Sequence, residues 1–239
     1  MKQYTGTKTI KAMPMAKSEA EQKLNRTIDC KESEGYFVEY KDGYKSWCPK
    51  SVFEETYKPS LEAIDLGLPS GRKWANMNLG ATSPEDPGLY YNWGATEGHA
   101  DGSDDDFYWS TYDDTPAAKI KTDLPLEHDA AHALLGGDWH MPTKEDFKEL
   151  CDNCTSEWTT RNGMKGRLFT SKTNGNSIFF PAAGGYVGTS LYDRGTNGCY
   201  WSASRYDSSN AYYLDFYSGY VYPQSNSSRY LGFSVRAVQ

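Results

Sequence analysis

The sequence predicts an α+β protein built from two modules, and three observations carry that expectation. Residues 1–58 read as strand, helix, strand, strand and helix in turn. From residue 61 the texture changes: Gly, Ser, Asn, Tyr and Trp dominate, and regular elements become few and short. Residues 200–238 then alternate side chains with a period of two, the signature of strands whose successive residues face opposite sides of a sheet.

The first module begins with a strand expected at Lys8-Thr9-Ile10-Lys11-Ala12. Ser18 with Glu21 three residues later has the form of a capping box, so a helix is expected from there to about Arg26. Gly35-Tyr36-Phe37-Val38-Glu39-Tyr40 is strand-like, Asp42-Gly43 is a hairpin-turn pair, and Tyr44 to Trp47 is the returning strand. Pro49 suits a first helical position, leading a short helix over Ser51 to Tyr57. Lys58-Pro59-Ser60 is the natural boundary, because the residue before a proline resists helix.

In the second module, residues 61–239, six Asp fall between Ala100 and Thr115. They lack the alternating oxygen ligands and closing Glu of a calcium loop, so a solvated loop is expected. Thr143, with Asp146 three residues on, caps a helix over Lys144 to Asp152. Cys151 and Cys154 close that helix and are read as sharing its face rather than binding zinc or acting as a redox pair. His128 and His132 are spaced for one helical face, yet no third metal ligand accompanies them. Ser177 to Phe180 is a buried-strand pattern ending at Pro181. Tyr200 to Ser204 is the next strand. In Ala211 to Tyr217, alternation places Tyr212, Leu214 and Phe216 on an apolar face and Tyr213, Asp215 and Tyr217 on a polar one. Tyr220 and Tyr222 flank Val221, and Phe233 to Val238 is the last strand.

Composition bounds the function. Hydrophobic residues make up 38% but aromatics reach 15%, with 19 Tyr and 7 Trp, so aromatic side chains can build the core and still reach water. The net charge is −7 with no basic cluster, which argues against a phosphate-tracking nucleic-acid binder. No apolar run approaches the roughly 18 residues of a membrane helix. Met1-Lys2-Gln3-Tyr4 opens no apolar stretch, so no signal peptide is expected in this chain. Five scattered cysteines do not describe a disulfide-stapled domain. Residues 200–230 hold eight Tyr and eight Ser, the pair that recognition surfaces use for rigid contact area and adaptable hydrogen bonding.

A series of motifs in residues 61–239 carries a resemblance: Asp65-Leu66-Gly67-Leu68-Pro69-Ser70-Gly71-x-Lys73-Trp74-Ala75, Asn78-x-Gly80-Ala81, Tyr91-x-Trp93-Gly94, Trp139-His140-Met141-Pro142-Thr143, Phe180-Pro181-Ala182-Ala183-Gly184, Tyr200-Trp201-Ser202 and Ser234-Val235-Arg236. Together they resemble the C-type-lectin-like domain of the fibrobacter major paralogous type, which is similar to the sulfatase-modifying, formylglycine-generating fold. They also resemble the variable proteins of diversity-generating retroelements from Bacteroides and their phages. The resemblance implies a C-type-lectin-like α+β fold with short strands, few helices and long loops, and a variable region over about residues 200–235. It implies a non-catalytic ligand-binding protein, without cofactor or metal, acting on a cell-surface protein or glycan from a virion or cell surface. In such retroelements template adenines are miscopied, so Asn codons become codons for many residues. Arg205, Tyr206, Tyr213, Asp215, Tyr217, Tyr220, Tyr222, Ser225, Ser227, Ser228 and Leu231 are all reachable that way and are the expected ligand-binding positions. Leu214, Phe216, Gly219, Val221, Gly232 and Phe233 are the expected fixed frame. The alternatives are an ordinary lectin-like module with a fixed carbohydrate or protein ligand, and an enzyme of the formylglycine-generating type centred on Cys199. The first module resembles a small domain of phage-encoded proteins through Tyr4-x-Gly6-Thr7-Lys8, Gly35-Tyr36-x-Val38-Glu39-Tyr40 and Ser46-Trp47-x-Pro49-Lys50-x-Val52-Phe53, which implies attachment to a particle or homo-oligomerisation.

Overall fold

The structure, a computed structural model, describes residues 10–56, 61–102 and 106–239. The chain divides into two compact units, Met1–Pro59 and Ser60–Gln239. Among the described residues the fold is mixed α+β, mostly strands with five short α-helices. Expectations for Tyr4 to Thr9, for Asp104-Asp105 and for the Tyr57 to Ser60 boundary lie outside the described residues.

The first unit runs β1 (Lys11–Ala16), α1 (Lys17–Leu24), β2 (Glu34–Glu39), β3 (Lys45–Pro49) and α2 (Lys50–Thr56). Its sheet is antiparallel with β2 in the middle, and Phe37 and Val38 of β2 are buried accordingly. Three details differ from expectation. The first strand runs Lys11–Ala16, later than the expected Lys8 to Ala12. The helix starts one residue before Ser18, after Ala16, and has no side-chain cap. Ser18 therefore sits inside the first turn, and the Glu21 carboxylate instead accepts the Ile28 amide at 2.8 Å, tying down the loop beyond the helix. Pro49 ends β3 opposite Gly35 rather than opening α2. At the hairpin turn Gly43 takes φ +83°, where a side chain would be strained, and Asp42 Oδ1 accepts the Tyr44 amide.

The second unit continues with β4 (Ala63–Asp65), β5 (Lys73–Ala75), β6 (Tyr90–Tyr91), α3 (Trp109–Tyr112), α4 (Ala130–Leu135), α5 (Lys144–Asn153), β7 (Cys154–Arg161), β8 (Met164–Ser171), β9 (Ser177–Pro181), β10 (Gly185–Val187), β11 (Ser190–Tyr192), β12 (Gly198–Arg205), β13 (Asn210–Phe216), β14 (Val221–Ser228) and β15 (Phe233–Ser234). The main sheet has the order β14-β13-β12-β15-β6, with β12 and β15 parallel and the other pairs antiparallel. A separate antiparallel sheet joins β7, β8 and β9. α5 begins with the expected capping box: the Thr143 side chain accepts from Asp146 N, and the Asp146 carboxylate accepts from Thr143 N.

Both faces of the main sheet are buried. On one, Trp201, Phe233 and Val235 pack with Tyr91, Trp93, Ala130, Ala131 and Met141. On the other, Tyr200, Leu214 and Phe216 pack with Trp74, Phe147, Leu150, Phe169 and Phe180. This corrects the expected division of β13 into an apolar and a polar face. Ala211 belongs to the first core and Tyr213 packs against it, so the polar surface is confined to the outer margin.

The motifs that carry the resemblance are the wiring of this frame. Trp93 Nε1 donates to the Ser202 carbonyl at 2.9 Å and Trp201 Nε1 to the Tyr91 carbonyl at 2.8 Å, so two motifs lock reciprocally. The Tyr200 hydroxyl donates to Pro181 O at 2.5 Å. Arg236 is fully buried. Its Nε donates to Asn78 Oδ1 at 2.8 Å, Nη1 to Ala75 O at 3.0 Å and Nη2 to Phe179 O at 2.9 Å, and the guanidinium lies 4.4 Å over the Phe180 ring. Burying a guanidinium is tolerable only when its donors are engaged in this way. Burial holds its pKa down, to about 10.

Three local expectations need correction. The last strand covers Phe233–Ser234 rather than Phe233 to Val238, and Val238 makes only isolated bridges to Trp74 and His140. Cys154 ends α5 as its C-terminal cap and starts β7, so it does not share a helical face with Cys151. His128 ends a 3₁₀ turn and faces the Gly94 carbonyl, whereas His132 lies in α4 and faces the Trp139 carbonyl, so the two do not form a pair on one helix.

Candidate functional site

The antiparallel register places side chains of β12, β13 and β14 in rows across the first face of the main sheet. Cys199, Asp215 and Tyr222 form one row; Trp201, Tyr213 and Ser225 the next; Arg205, Ala211 and Ser227 the third. The inner member of the first two rows is core. Toward β14, at the edge of the sheet, the rows come out to solvent.

The β13–β14 turn carries the most exposed part. The Tyr217 amide donates to the Tyr220 carbonyl at 3.0 Å. The Tyr217, Tyr220 and Tyr222 rings touch one another, with centroids 5.9, 6.4 and 5.7 Å apart, and the last pair is stacked. Tyr220 and Tyr222 are 60% and 45% exposed, which makes the cluster a surface and not a core edge. The Tyr217 phenol is hydrogen-bonded to Tyr222, and that bond, with the nearby Tyr222, Tyr220 and Asp215, pushes its pKa up.

The turn is held from beneath. Phe216 and Val221 pair across its base; Phe216 is buried in the second core, and Val221 packs against that core. Gly198 lies opposite Phe216, and any Cβ there would come within 2.1 Å of the ring. The buried Arg167 of β8 donates from Nη2 to the Tyr217 carbonyl at 2.8 Å and the Ser218 carbonyl at 3.1 Å. At the far end of the hairpin the buried Arg229 donates to the carbonyls of Asn210, Ile120 and Asp207 and lies 4.4 Å over the Trp93 ring. Asp207 closes the β12–β13 turn through Ser209 and Asn210, which hold its carboxyl down at about 2.

Asp215 is different. It is half-buried, and among the described residues its carboxylate has no ion-pair or hydrogen-bond partner. Burial and the like charge of Asp193 push its pKa up. Cys199, across the register, is buried, and burial with the charges of Asp215 and Asp193 pushes its thiol up as well. Tyr213 is half-buried with its ring 6.0 Å from Trp201 and 4.9 Å from Phe233, and burial pushes its phenol up to about 12.

The structure thus brings Asp215, Tyr217, Tyr220, Tyr222, Ser225 and Ser227 onto one margin, with Tyr213 at its buried side. It does not bring the other expected positions there. Leu231 is 8% exposed and belongs to the first core. Tyr206 packs edge to face on Tyr212, whose ring also lies under Lys144 Nζ, on the opposite face. Ser228 alternates to that same opposite face. Arg205 sits at the far end of the hairpin, where its amide donates to Asp123 Oδ1. Sequence reasoning missed Arg167, Arg229 and Asp193: the two arginines hold carbonyls distant in the chain, Asp193 acts across the fold on Asp215, and no local spacing marks them.

Among the described residues other features are weaker. A concavity of about 200 Å³ between Asn92, Gly94, Tyr112, Thr115 and His128 is smaller than the roughly 300–1,000 Å³ of small-molecule sites. Among the described residues no three His, Cys, Asp or Glu side chains form a metal-holding group, all five cysteines are free thiols, and no helix is long and apolar enough to cross a membrane.

A family profile described as a domain of unknown function, DUF8237, matches residues 154–238, the stretch from β7 to the last strand. No curated protein matches the chain. No solved structure matches it.

Proposed function

We propose that the second unit is a non-catalytic recognition domain of the C-type-lectin-like type, and that its β13–β14 hairpin is the variable surface of a retroelement-diversified protein of the kind carried by Bacteroides and their phages. The observation that carries this reading is the tyrosine triad at the hairpin turn. Tyr220 and Tyr222 expose their rings with the half-buried Tyr217 adjoining them, while Phe216 and Val221, paired across the base of the turn, pack toward the interior. Variable and fixed positions therefore alternate along the strand, and a change at a tyrosine leaves the frame intact. Tyrosine offers large contact area at low entropy cost, and Ser225 and Ser227 beside it offer adaptable hydrogen bonds. The partner in this reading is a cell-surface protein or glycan. The first unit provides attachment to a virion or to further copies of the chain, where avidity raises weak binding by about 10²–10⁴.

Catalysis of the formylglycine-generating type is the weaker reading. Its cysteine would be Cys199, yet that thiol is buried and pushed toward the neutral form, opposite to an activated thiolate. A lectin-like module with a fixed ligand shares the same surface and differs only in its history.

Sequencing the gene across its source population separates the two. Diversification predicts substitutions concentrated at Tyr217, Tyr220, Tyr222, Ser225 and Ser227, from adenine-rich template codons, with Trp201, Leu214, Phe216 and Val221 constant. Variation spread evenly and mostly synonymous would remove the retroelement reading and leave the fixed-ligand module.

A further inference from the structure

The recognition surface has a chemical preference written into its margin. Asp215 sits in register beside Tyr222 and close enough to Tyr217 for its charge to act on that phenol. Its carboxylate is half-buried, shares its surroundings with Asp193, and has no partner among the described residues. Arg167, the cation that reaches this turn, spends its Nη2 on the Tyr217 and Ser218 carbonyls. Ser225 is uncharged and hydrogen-bonded to the Tyr213 phenol, and the Tyr213 ring packs on Trp201 and Phe233. An unpaired carboxylate beside exposed ring faces is the chemistry that receives a cation. The carboxylate supplies charge and hydrogen-bond acceptors, and the ring faces supply the quadrupole attraction that favours guanidinium and ammonium groups.

Resting on the recognition reading above, we propose that this margin takes the cationic side chain of an arginine or lysine on a protein partner, seated between the Asp215 carboxylate and the rings of Tyr217 and Tyr222. The three rings set the shape of the contact and Asp215 sets its charge. Asp193 contributes long-range attraction.

The test uses the full chain carrying ¹³C-labelled tyrosine rings. N-acetyl-arginine amide and N-acetyl-lysine amide are titrated in, with N-acetyl-norleucine amide and N-acetylglucosamine as neutral controls. The expected result is a saturable shift of the Tyr217, Tyr220 and Tyr222 signals by the arginine and lysine probes and not by the neutral ones. Asp215→Asn should weaken the arginine probe about threefold or more, the scale of one exposed charge contact with a cation–ring contact. Tyr222→Leu, which keeps apolar bulk and removes a ring face, should weaken it as well. Equal shifts by the norleucine amide, shifts by the sugar alone, or an unchanged affinity in Asp215→Asn would overturn the assignment. Its failure is distinct from failure of the recognition reading. If the alanine variant of all three tyrosines loses cell binding while no cationic probe binds, the surface stands and its cation does not.

Discussion

Arg236 and Asp215 are charged residues of the same C-terminal region, and the protein treats them in opposite ways. Arg236 is fully enclosed, with each guanidinium nitrogen donating to an oxygen and its plane stacked on Phe180. Asp215 is only half-enclosed, has no partner among the described residues, and stands beside a second acid. The difference teaches where this molecule tolerates unmet polarity. Around Arg236 burial is matched donor for acceptor, whereas elsewhere in the frame the buried Trp74 Nε1 and Arg167 Nε have no hydrogen-bond partner among the described residues. On β13, next to the edge strand, a carboxylate is left unmatched beside the exposed rings of Tyr220 and Tyr222 and the half-buried Tyr217.

The largest effect should come from the satisfied charge. Arg236→Leu leaves Asn78 Oδ1, Ala75 O and Phe179 O without their donor, and should cost about 3–5 kcal/mol in chemical denaturation. A cost within about 1 kcal/mol would mean the frame does not depend on this residue, and the comparison would break.

An intermediate effect is expected at Tyr213, which separates the buried side of the margin from the open one. Tyr213→Ala removes a ring packed on Trp201 and Phe233, and should cost about 2 kcal/mol. Loss of ligand binding without loss of stability would instead place Tyr213 in the surface with Tyr222.

The smallest effect, and the most informative in sign, belongs to Asp215. Its folded pKa is raised above the unfolded value near 3.9. The folded state therefore binds its proton more tightly, and stability falls as pH rises from about 4 through the folded pKa. Asp215→Asn should be more stable than the wild type at pH 7, and the gap should close below about pH 4. A less stable Asn variant at pH 7 would show that the carboxylate has a stabilising partner and that the contrast with Arg236 is false.

The sequence exposes the frame more readily than the surface. The helix at α5 is legible because Thr143 and Asp146 supply both halves of a capping box within one turn. The β2–β3 hairpin is legible because Asp42-Gly43 carries its own turn chemistry. β12 and β13 are legible as strands and only the Tyr220-Val221-Tyr222 start of β14 is, because the Pro-, Gln-, Asn- and Ser-rich remainder to Ser228 has no apolar alternation; and alternation says nothing about what covers each face. Here α5 and the β7–β9 sheet cover one side, and Leu79, Leu89 and Trp93 with α4 cover the other, so Tyr213 packs inward despite its polar hydroxyl. Leu231 was expected among the ligand-binding positions from codon reasoning alone, yet it follows Arg229 and Tyr230 into the first core. Ser18 failed as a cap because the chain enters α1 straight from β1, leaving no free turn before it. The anchors Arg167 and Arg229 were not legible, since a buried arginine that holds distant carbonyls has no local pattern.

The central claim is that the tyrosine triad is separable from the frame beneath it. It is tested most directly by replacing Tyr217, Tyr220 and Tyr222 together with Ala, then measuring thermal unfolding and binding to the source community's cells on one preparation. The account predicts a midpoint within about 2 °C of the parent and loss of binding. A midpoint lower by about 8 °C or more would show that the rings are part of the core, and retained binding at an unchanged midpoint would show that recognition lies elsewhere.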